Sequence, residues 1–303
     1  MDVRHLDMLR ELGALGSVTA VAERLQLTPS AVSQQLRQLQ RQVGVPLAER
    51  SGRRLVLTEA GHTLAKAAEQ VGVALAGVDR VAAELAGRPV GRVSVAAFNS
   101  AALAFFPRLL RAHAQGSCPE VELTDEDVPQ AQFAPLATAV DVVIAHRLDH
   151  TPPWPGSVSA LPLLHEPLDV AVPSGHPLAG RDWLDPDDVA DQPWITTHDG
   201  FPLLATLDAV GAVAGRRIVR AHRVNEFSIA AALVREGAGL AFIPRWTAPR
   251  PDGVVLIPLR GGALRHVDAL FRPERAQRPA VQAVLRLLVA LAAEIRGASE
   301  ASD

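Results

Sequence analysis

Two short amphipathic helical patterns near the N-terminus are separated by only a few residues. Ser17 is a good N-cap for the first helix, which we predict over residues 18–26. Thr28 is an N-cap for the second helix, predicted over 29–43, and Pro29 stands in its first turn. So short a connection brings the two helices together in a helix-turn-helix, which restricts this part of the chain to a small helical domain.

The second helix carries polar side chains that suit the major groove of DNA. An amide can pair with adenine and a guanidinium with guanine or phosphate, while small hydroxyl residues let the helix approach the duplex closely. The basic segment 50–58 then predicts a β-hairpin with Gly52 at its tip, whose arginines suit phosphates or the minor groove. We therefore predict that double-stranded DNA is bound by Thr28, Ser30, Ser33, Gln34, Arg37, Arg50, Arg53 and Arg54. The alternative is a small helical bundle whose charges are only solvated.

Charge is distributed unevenly along the chain. Residues 1–58 hold eight arginines and five acidic residues, a net charge of +3, whereas the whole chain of 303 residues carries −3. The remaining residues therefore carry −6. A small basic module on a larger acidic body indicates a phosphate-contacting head joined to a part that does not bind DNA.

Three stretches near the N-terminus match a known pattern. They are Gly16-Ser-Val-Thr-Ala-Val-Ala-Glu-Arg-Leu25, Thr28-Pro-Ser-Ala-Val-Ser-Gln-Gln-Leu36, and the run from Arg50 through Leu57-Thr-Glu-Ala-Gly61. They resemble the N-terminal domain of LysR-type transcriptional regulators. The resemblance implies a winged helix-turn-helix whose third helix lies in the major groove. The chain departs from the family pattern at Gln40, where glutamate is common, and at Ala48, where an aromatic residue usually packs.

A long helical pattern follows, from Thr58 to about Arg88. Its apolar residues recur at coiled-coil spacing, at positions 60, 64, 67, 71, 75, 78, 82 and 85. About 31 residues make a rod of roughly 46 Å, and a stripe of that length needs a partner, for which an identical chain is the simplest. A dimer would place two recognition helices on successive major grooves of a two-fold related operator. In the family this helix dimerises and tetramers are common, so we expect a homodimer or homotetramer; the alternative is a helix packed on its own chain.

From Gly91 onward, strand and helix signals alternate, which predicts open and mostly parallel α/β sheets. The stretches Asp141-Val-Val-Ile144, His176-Pro-Leu-Ala179 and Ala232 to Pro244 resemble, more weakly, the effector-binding domain of the same family. That resemblance implies a two-lobed fold like that of periplasmic binding proteins, with two crossovers that we place near 161–164 and 262–266.

The expected fold is therefore a multidomain α+β chain. We predict a winged helix-turn-helix DNA-binding domain over 1–58, a linker and dimerisation helix over 59–88, and a two-lobed α/β effector-binding domain over 91–303. Lobe one would comprise 91–160 and 266–297, and lobe two 161–262.

Ligands of such sheets bind beyond the carboxyl ends of strands, where helix N-termini offer free N–H groups. The hydroxyls, imidazole and guanidinium found at these places favour a small polar or anionic effector, whose identity the sequence does not give. The predicted effector-binding residues are Asn99, Ser100, Arg147, Thr196, Thr197, His198 and Phe227. Ser100 can also be read as a plain helix cap, and Arg147 as a surface charge.

Other classes of function find less support. The chain has no Gly-x-Ser-x-Gly elbow, phosphate loop or His-Glu-x-x-His site, so we predict no catalytic residues, metal or cofactor and treat a cytoplasmic enzyme as an alternative. His146, Asp149 and His150 have metal-like spacing but precede a proline-rich stretch that favours a solvated loop. The single cysteine, Cys118, excludes an internal disulfide but not sulfenylation or pairing between chains.

A second alternative is an architectural DNA-binding protein without a ligand, which would not need some 210 residues of α/β body. The sequence shows neither a leader nor an apolar run of roughly 20 residues, so we expect a cytoplasmic protein with no membrane association. RNA polymerase is a further candidate partner.

Overall fold

The computed structural model describes residues 1–51, 54–85, 91–199, 201–249 and 252–300. Its helices are α1 (Val3–Leu15), α2 (Val18–Arg24), α3 (Pro29–Val43), α4 (Glu59–Leu85), α5 (Asn99–Ala114), α6 (Gln130–Leu136), α7 (Pro186–Val189), α8 (Leu203–Ala214), α9 (Phe227–Arg235) and α10 (Pro279–Glu300), with a 3₁₀ turn at Arg275–Gln277. Its strands are β1 (Ala48–Ser51), β2 (Arg54–Leu57), β3 (Val93–Ala97), β4 (Val121–Asp125), β5 (Val142–Leu148), β6 (Ser159–Pro173), β7 (Pro193–Thr196), β8 (Val219–Arg223), β9 (Leu240–Pro244), β10 (Val254–Ile257) and β11 (Leu264–Phe271).

The first three helices and the hairpin β1–β2 form one unit, which we call the head. Its core is made by apolar faces of all three helices, among them Leu9, Val21 and Leu39, each fully buried. Helix α3 has the predicted bounds, but α2 ends two residues earlier than predicted. The reason is local: Gln26 takes a left-handed backbone with φ 54°, and Leu27 N–H donates to Ala22 O at 2.8 Å, which closes the helix end.

The hairpin of the head pairs β1 and β2 in antiparallel register, as predicted for a wing. Its predicted tip, Gly52 and Arg53, lies outside the described residues. The departure at Gln40 has a clear local role, because its Oε1 accepts hydrogen bonds from Leu47 N–H at 2.8 Å and Ala48 N–H at 3.3 Å. A glutamine therefore serves as the acceptor that fixes the entry to the wing.

The apolar stripe of α4 only partly follows the prediction. Its first half packs on the head of its own chain: Ala68, rather than the predicted Ala67, is buried there, and Leu64 and Val71 pack beside it. Further along, Leu75 and Val78 are 42% and 64% exposed. The premise that the whole stripe needs a partner was therefore wrong, because a helix that follows the wing directly can bury its first turns on α1.

One nine-stranded sheet runs through the rest of the molecule in the order β4-β3-β5-β11-β6-β9-β7-β8, with β10 beside β6. Neighbours at both ends of the sheet are parallel, but β6 and β11 pair antiparallel with each other and with β5 and β9. The prediction of mostly parallel pairing was wrong for this middle part. The chain passes between the lobes in β6 and again in β11, and both crossovers are strands of the sheet. The strand that brings the chain back runs antiparallel to its neighbours.

The sheet carries two hydrophobic regions, which define what we call lobe one and lobe two. Lobe one packs β3, β5 and part of β11 against α5 and α10, with Phe105 and Leu288 fully buried. Lobe two packs β7, β9 and β10 against α8 and α9, around the fully buried Trp194. Strands β6 and β11 join the lobes, so the ends of β3, β5 and β7 face a common space.

The head contacts lobe one through a cluster of buried charges. Arg272 donates to Glu11, and Arg272 Nε lies 2.9 Å from Glu274 Oε1. Arg10 Nη2 lies 2.7 Å from the same Glu274 oxygen. These four side chains are 3–13% exposed, so two arginines and two glutamates compensate one another away from water. Among the described helices, none is long and apolar enough to cross a membrane.

Candidate nucleic-acid surface and ligand cleft

Helix α3 presents Gln34 and Arg37 to solvent. Its hydroxyl residues have other roles. Thr28 Oγ1 caps the helix by accepting from Ala31 N–H at 3.2 Å, and Ser33 Oγ donates to Pro29 O at 2.9 Å. The first two turns of α3 are therefore fixed by their own hydroxyls, and the amide and the guanidinium are left to reach outward.

Of the remaining predicted DNA-binding residues, Arg53 lies outside the described part of the chain, and the others lie on α3 and the hairpin. Ser30 is exposed, and its Oγ lies 2.9 Å from Thr28 Oγ1. Arg50 is exposed on β1, and Arg54 begins β2. Thr28, Ser30, Gln34, Arg37 and Arg50 thus share the exposed surface of the head.

A cleft opens between the two lobes, with about 660 Å³ of empty volume counted out to solvent. Its walls are largely apolar, whereas its floor carries hydroxyl, imidazole and guanidinium groups. The lining residues are Phe98, Asn99, Ser100, Asp127, His146, Leu148, Leu168, Thr197, Phe201, Pro202, Leu203, Asn225, Glu226, Phe227 and Arg265. Both lobes contribute, as a site between them requires.

The cleft contains four of the seven predicted effector-binding residues: Asn99, Ser100, Thr197 and Phe227. The other three are not among the described residues that line it. Arg147 Nε lies 3.8 Å from Asp268 Oδ2, because successive residues of a strand point to opposite faces and His146 takes the cleft side. Thr196 is buried beneath the cleft, and exposed His198 donates its backbone N–H to Asn225 Oδ1 at 3.0 Å.

A buried ion pair forms the floor of the cleft. Arg265 Nη2 donates to Glu166 Oε2 at 2.6 Å and to Thr247 Oγ1 at 2.6 Å. Glu166, fully buried, also accepts from the backbone N–H groups of Trp246 at 2.7 Å and Thr247 at 2.6 Å. Ser100 Oγ joins this network 3.2 Å from Arg265 Nη2, so its role differs from that of a helix cap.

The guanidinium of Arg265 also stacks between the lobes. Its carbon lies 4.9 Å from the ring centre of Phe98 and 5.6 Å from that of Phe227. Cation–π contacts stabilise by about 0.5–1 kcal/mol each at exposed sites and by about 2 kcal/mol or more when water is excluded. Arg265 therefore ties Phe98 of lobe one to Phe227 of lobe two.

His146 faces the cleft beside the aromatic rings of Phe98 and Phe133, with ring centres 4.7 and 5.4 Å away. Burial, and then the charge of Arg265, lower the pKa of His146 to about 3. The imidazole is therefore neutral near pH 7 and offers hydrogen bonds rather than charge.

Three polar atoms at the cleft have no hydrogen-bond partner among the described residues: Thr197 Oγ1, His146 Nδ1 and Arg265 Nε. Buried polar atoms are nearly always hydrogen-bonded in native proteins, and leaving one unpaired costs about 1–3 kcal/mol. All three belong to residues that line one cleft. Such an arrangement indicates a place for a ligand with hydrogen-bonding groups.

The charges around the cleft do not favour an anion. Of the described lining residues, the only guanidinium is that of Arg265, and Glu166 compensates it. Asp127 and Glu226 add negative charge at the rim. Asn225 Nδ2 donates to Asp127 Oδ2 at 3.4 Å, a contact that bridges the lobes. The anionic part of our expectation rested on Arg147 and on helix N-termini; Arg147 lies elsewhere, whereas α5 and α9 begin at the cleft.

Among the residues that sequence reasoning missed are His146 and Arg265, which line the cleft, and Glu166, which pairs with Arg265 beneath it. His146 follows directly on the predicted strand 141–145, where alternation with Val142 and Ile144 would have placed it on one face. Glu166 lies two residues after the first predicted crossover, 161–164, and Arg265 lies within the second, 262–266. A charged residue at each of two crossovers that join the same lobes is a signal for a buried pair.

The remaining candidate reactive groups are Cys118 and the metal-like trio His146, Asp149 and His150. Cys118 is buried, and burial raises the pKa of its thiol, which disfavours the reactive thiolate. Within the described parts of the chain, no group of three or more His, Cys, Asp or Glu side chains is placed to hold a metal ion. Asp149, from the predicted metal-like trio, contacts His266 instead of His146.

Two family models match the chain. The one described as "Bacterial regulatory helix-turn-helix protein, lysR family" matches residues 3–62, which contain the head. The one described as "LysR substrate binding domain" matches residues 86–293, which contain both lobes and the cleft.

Curated relatives and solved structures are similar over nearly the whole chain. The RuBisCO operon transcriptional regulator of Allochromatium vinosum is 26% identical over 80% of this chain and 79% of its own. The octopine catabolism/uptake operon regulatory protein OccR of Rhizobium meliloti is 26% identical over 85% of each chain. Full-length OxyR from Pseudomonas aeruginosa superposes with a TM-score of 0.61 at 20% identity, covering 98% of this chain and 95% of its own. Full-length CbnR in complex with its target DNA gives 0.54 at 22% identity, covering 96% and 100%.

Proposed function

The chain belongs to the LysR family of transcriptional regulators, and on that premise we propose that paired heads bind two-fold related operator DNA while a small molecule binds in the cleft. The proposal of DNA binding rests on Gln34 and Arg37, which are exposed on α3. The nearby hydroxyls already form hydrogen bonds within the helix. An amide and a guanidinium on one exposed helix face can read base edges directly. The test is the DNA that the protein selects from a random pool, which we expect to contain one short sequence twice in two-fold relation.

The effector acts on DNA binding, we propose, through the contacts that join the lobes and the head. A ligand that pairs with Thr197 and Arg265 changes the lobe-to-lobe contacts around Phe98, Phe227 and Asn225. Lobe one also carries Arg272 and Glu274, which hold the head. A ligand with different affinities for two lobe arrangements thereby shifts the arrangement of the heads.

Self-association of the chain has support at two places. Leu75 and Val78 are exposed on α4 and offer apolar surface to a second copy. The two edge strands of the sheet carry opposite charge: β4 and its flanks present Glu120, Glu122 and Asp125, whereas β8 presents Arg220 and Arg223 with Arg217 beside it. Two copies related by a two-fold axis can therefore pair β4 of each copy with β8 of the other. We propose that either the α4 contact or the β4–β8 contact alone gives a homodimer, and that both together give a homotetramer.

Reversing a charge at one edge tests this pairing. We expect Arg220→Glu to weaken self-association roughly tenfold or more, because it places like charges together at both symmetric contacts. Adding Glu122→Arg to the same chain should restore the assembly. Sedimentation velocity measures both, with Arg286→Glu on α10 as the control of equal charge change. If Arg220→Glu leaves the assembly as the control does, the edge strands do not pair.

We propose that the chain divides into a DNA-binding domain over 1–58, a linker helix over 59–88 and an effector-binding domain over 91–303. Within the last, lobe one comprises 91–160 and 266–297, and lobe two comprises 161–262. A regulator of this kind acts in the cytoplasm, where its operator lies, and carries no catalytic activity of its own. RNA polymerase is a candidate contact when the regulator is bound beside a promoter.

A further inference from the structure

A second cavity adjoins the cleft, and we call it the apolar groove. It has about 1330 Å³ of empty volume counted out to solvent. Lobe one forms one wall with Ala131, Ala134 and Trp154, and lobe two forms the other with Leu204 and Ala205 of α8. Groove walls drawn from both lobes can open or close only together with the cleft.

The groove begins where the cleft ends, because Phe201 and Pro202 line both. The polar atoms without partners lie on the cleft side, at Thr197, His146 and Arg265. The groove side offers mainly alanine, proline, leucine and tryptophan surface. One molecule that spans both cavities must therefore be polar at one end and apolar along the rest.

The charge of the polar end follows from the groups it would meet. Arg265 is held by Glu166 at 2.6 Å, and Asp127 and Glu226 stand at the rim. A carboxylate or phosphate entering here would meet two carboxylates and no uncompensated cationic side chain among the described lining residues. Its attraction would come from the backbone N–H groups at the start of α5, whereas the start of α9 already carries the Glu226 carboxylate as its cap. An uncharged group that both donates and accepts, such as an amide, matches the hydroxyl, imidazole and guanidinium N–H on offer.

We propose that the effector is an uncharged amphipathic molecule, with its hydrogen-bonding head in the cleft and its acyl or aryl body in the apolar groove. This inference rests on the proposed function, since it names the class of molecule that the cleft takes. Phe201 and Pro202 lie where the head of such a molecule joins its body, so the ligand contacts both lobes at once.

Three small probes test the proposal by calorimetric titration of the full chain: hexanamide, acetamide and hexanoate. Hexanamide should bind roughly 250-fold more tightly than acetamide, because it buries four more methylenes and each contributes about fourfold. Hexanoate should bind at least about tenfold more weakly than hexanamide. Equal binding of the two amides would refute the role of the groove, and hexanoate binding as tightly as hexanamide would refute the uncharged head. Failure of all three probes to bind would refute the proposal for this class of molecule.

Variants locate the two ends of the ligand. Ala205→Glu puts a charge in the groove at an exposed position in the first turn of α8, where a glutamate does not disturb folding. It should weaken hexanamide at least about tenfold and leave acetamide unchanged. The matched control is Ala212→Glu, exposed two turns further along α8 and outside the groove lining. Thr197→Val should weaken both amides by about three- to tenfold; a loss for hexanamide alone would contradict the placement of the head.

The proposed regulatory function is measured separately, by DNA affinity with and without saturating hexanamide. Tight hexanamide binding with unchanged DNA affinity would uphold the ligand class and contradict the coupling of cleft to head. Sequence-specific DNA binding by a protein that takes none of the probes would uphold the regulator and contradict the ligand class.

Discussion

Replacing Glu166 with alanine is expected to lower the free energy of unfolding by about 3–5 kcal/mol. Glu166 is fully buried and accepts from two backbone N–H groups, the Thr247 hydroxyl and Arg265. Without Glu166, the guanidinium of Arg265 stays buried with no carboxylate to compensate its charge. An unpaired buried charge is what makes the removal of one partner strongly destabilising. For a body of this size the midpoint of thermal unfolding should fall by roughly 10 °C, measured by circular dichroism or calorimetry.

Two further variants separate the charge from the loss of side-chain volume. The double variant Glu166→Leu with Arg265→Met removes both charges together and should recover most of the lost stability. Glu236→Ala removes an exposed glutamate whose partner among the described residues is Arg235, and should change the midpoint by no more than roughly 2 °C. A Glu166→Ala protein that melts like the Glu236→Ala control would show that the pair is solvated rather than buried.

Replacing Glu11 with alanine should release the head from lobe one. The change leaves Glu274 as the only carboxylate paired with Arg272 among the described residues, in a site nearly closed to water, while Arg10 keeps both Glu274 and the partly exposed Asp7 at 3.0 Å. Removing one partner from a buried ion cluster costs about 3–5 kcal/mol if the arrangement is kept. Since the head can separate and let these charges hydrate, we expect the docking equilibrium to shift by roughly 100-fold or more while each domain stays folded.

Small-angle X-ray scattering measures that release as a larger radius of gyration at unchanged oligomeric state. Glu23→Ala, which removes an exposed glutamate from α2, is the matched control and should leave the scattering unchanged. Arg272→Ala should act as Glu11→Ala does, because it breaks the same pair. An unchanged radius in both variants would contradict the account of how lobe one holds the head.

Much of the head could be predicted because its signals are local. Thr28 and Pro29 define the start of α3 within one turn, and Gly44 defines its end with a left-handed backbone at φ 84°. The hairpin β1–β2 likewise follows from a few adjacent residues. Such signals depend only on residues that are neighbours in sequence, so they can be interpreted without knowledge of the rest of the fold.

The floor of the cleft could not be predicted in the same way. Arg265 and Glu166 are 99 residues apart, and Thr247 and Ser100 are 147 apart, so only the folded sheet brings them together. The side to which Arg147 points depends on strand register, where a shift of one residue exchanges the two faces. The packing of α4 on its own head is also a tertiary effect, since a regular apolar spacing does not say which surface covers it.

Whether α3 reads operator bases in paired heads is measured by selection from random duplex DNA with the wild-type protein and with the Gln34→Ala and Arg37→Ala variants. We predict that the wild type enriches one short sequence twice in two-fold relation, and that Gln34→Ala loses preference at the same position of both half-sites. Arg37→Ala should lose either a guanine preference or affinity for all sequences, according to whether its guanidinium meets a base or a phosphate. Enrichment of a single half-site, or an unchanged motif in both variants, would contradict the account.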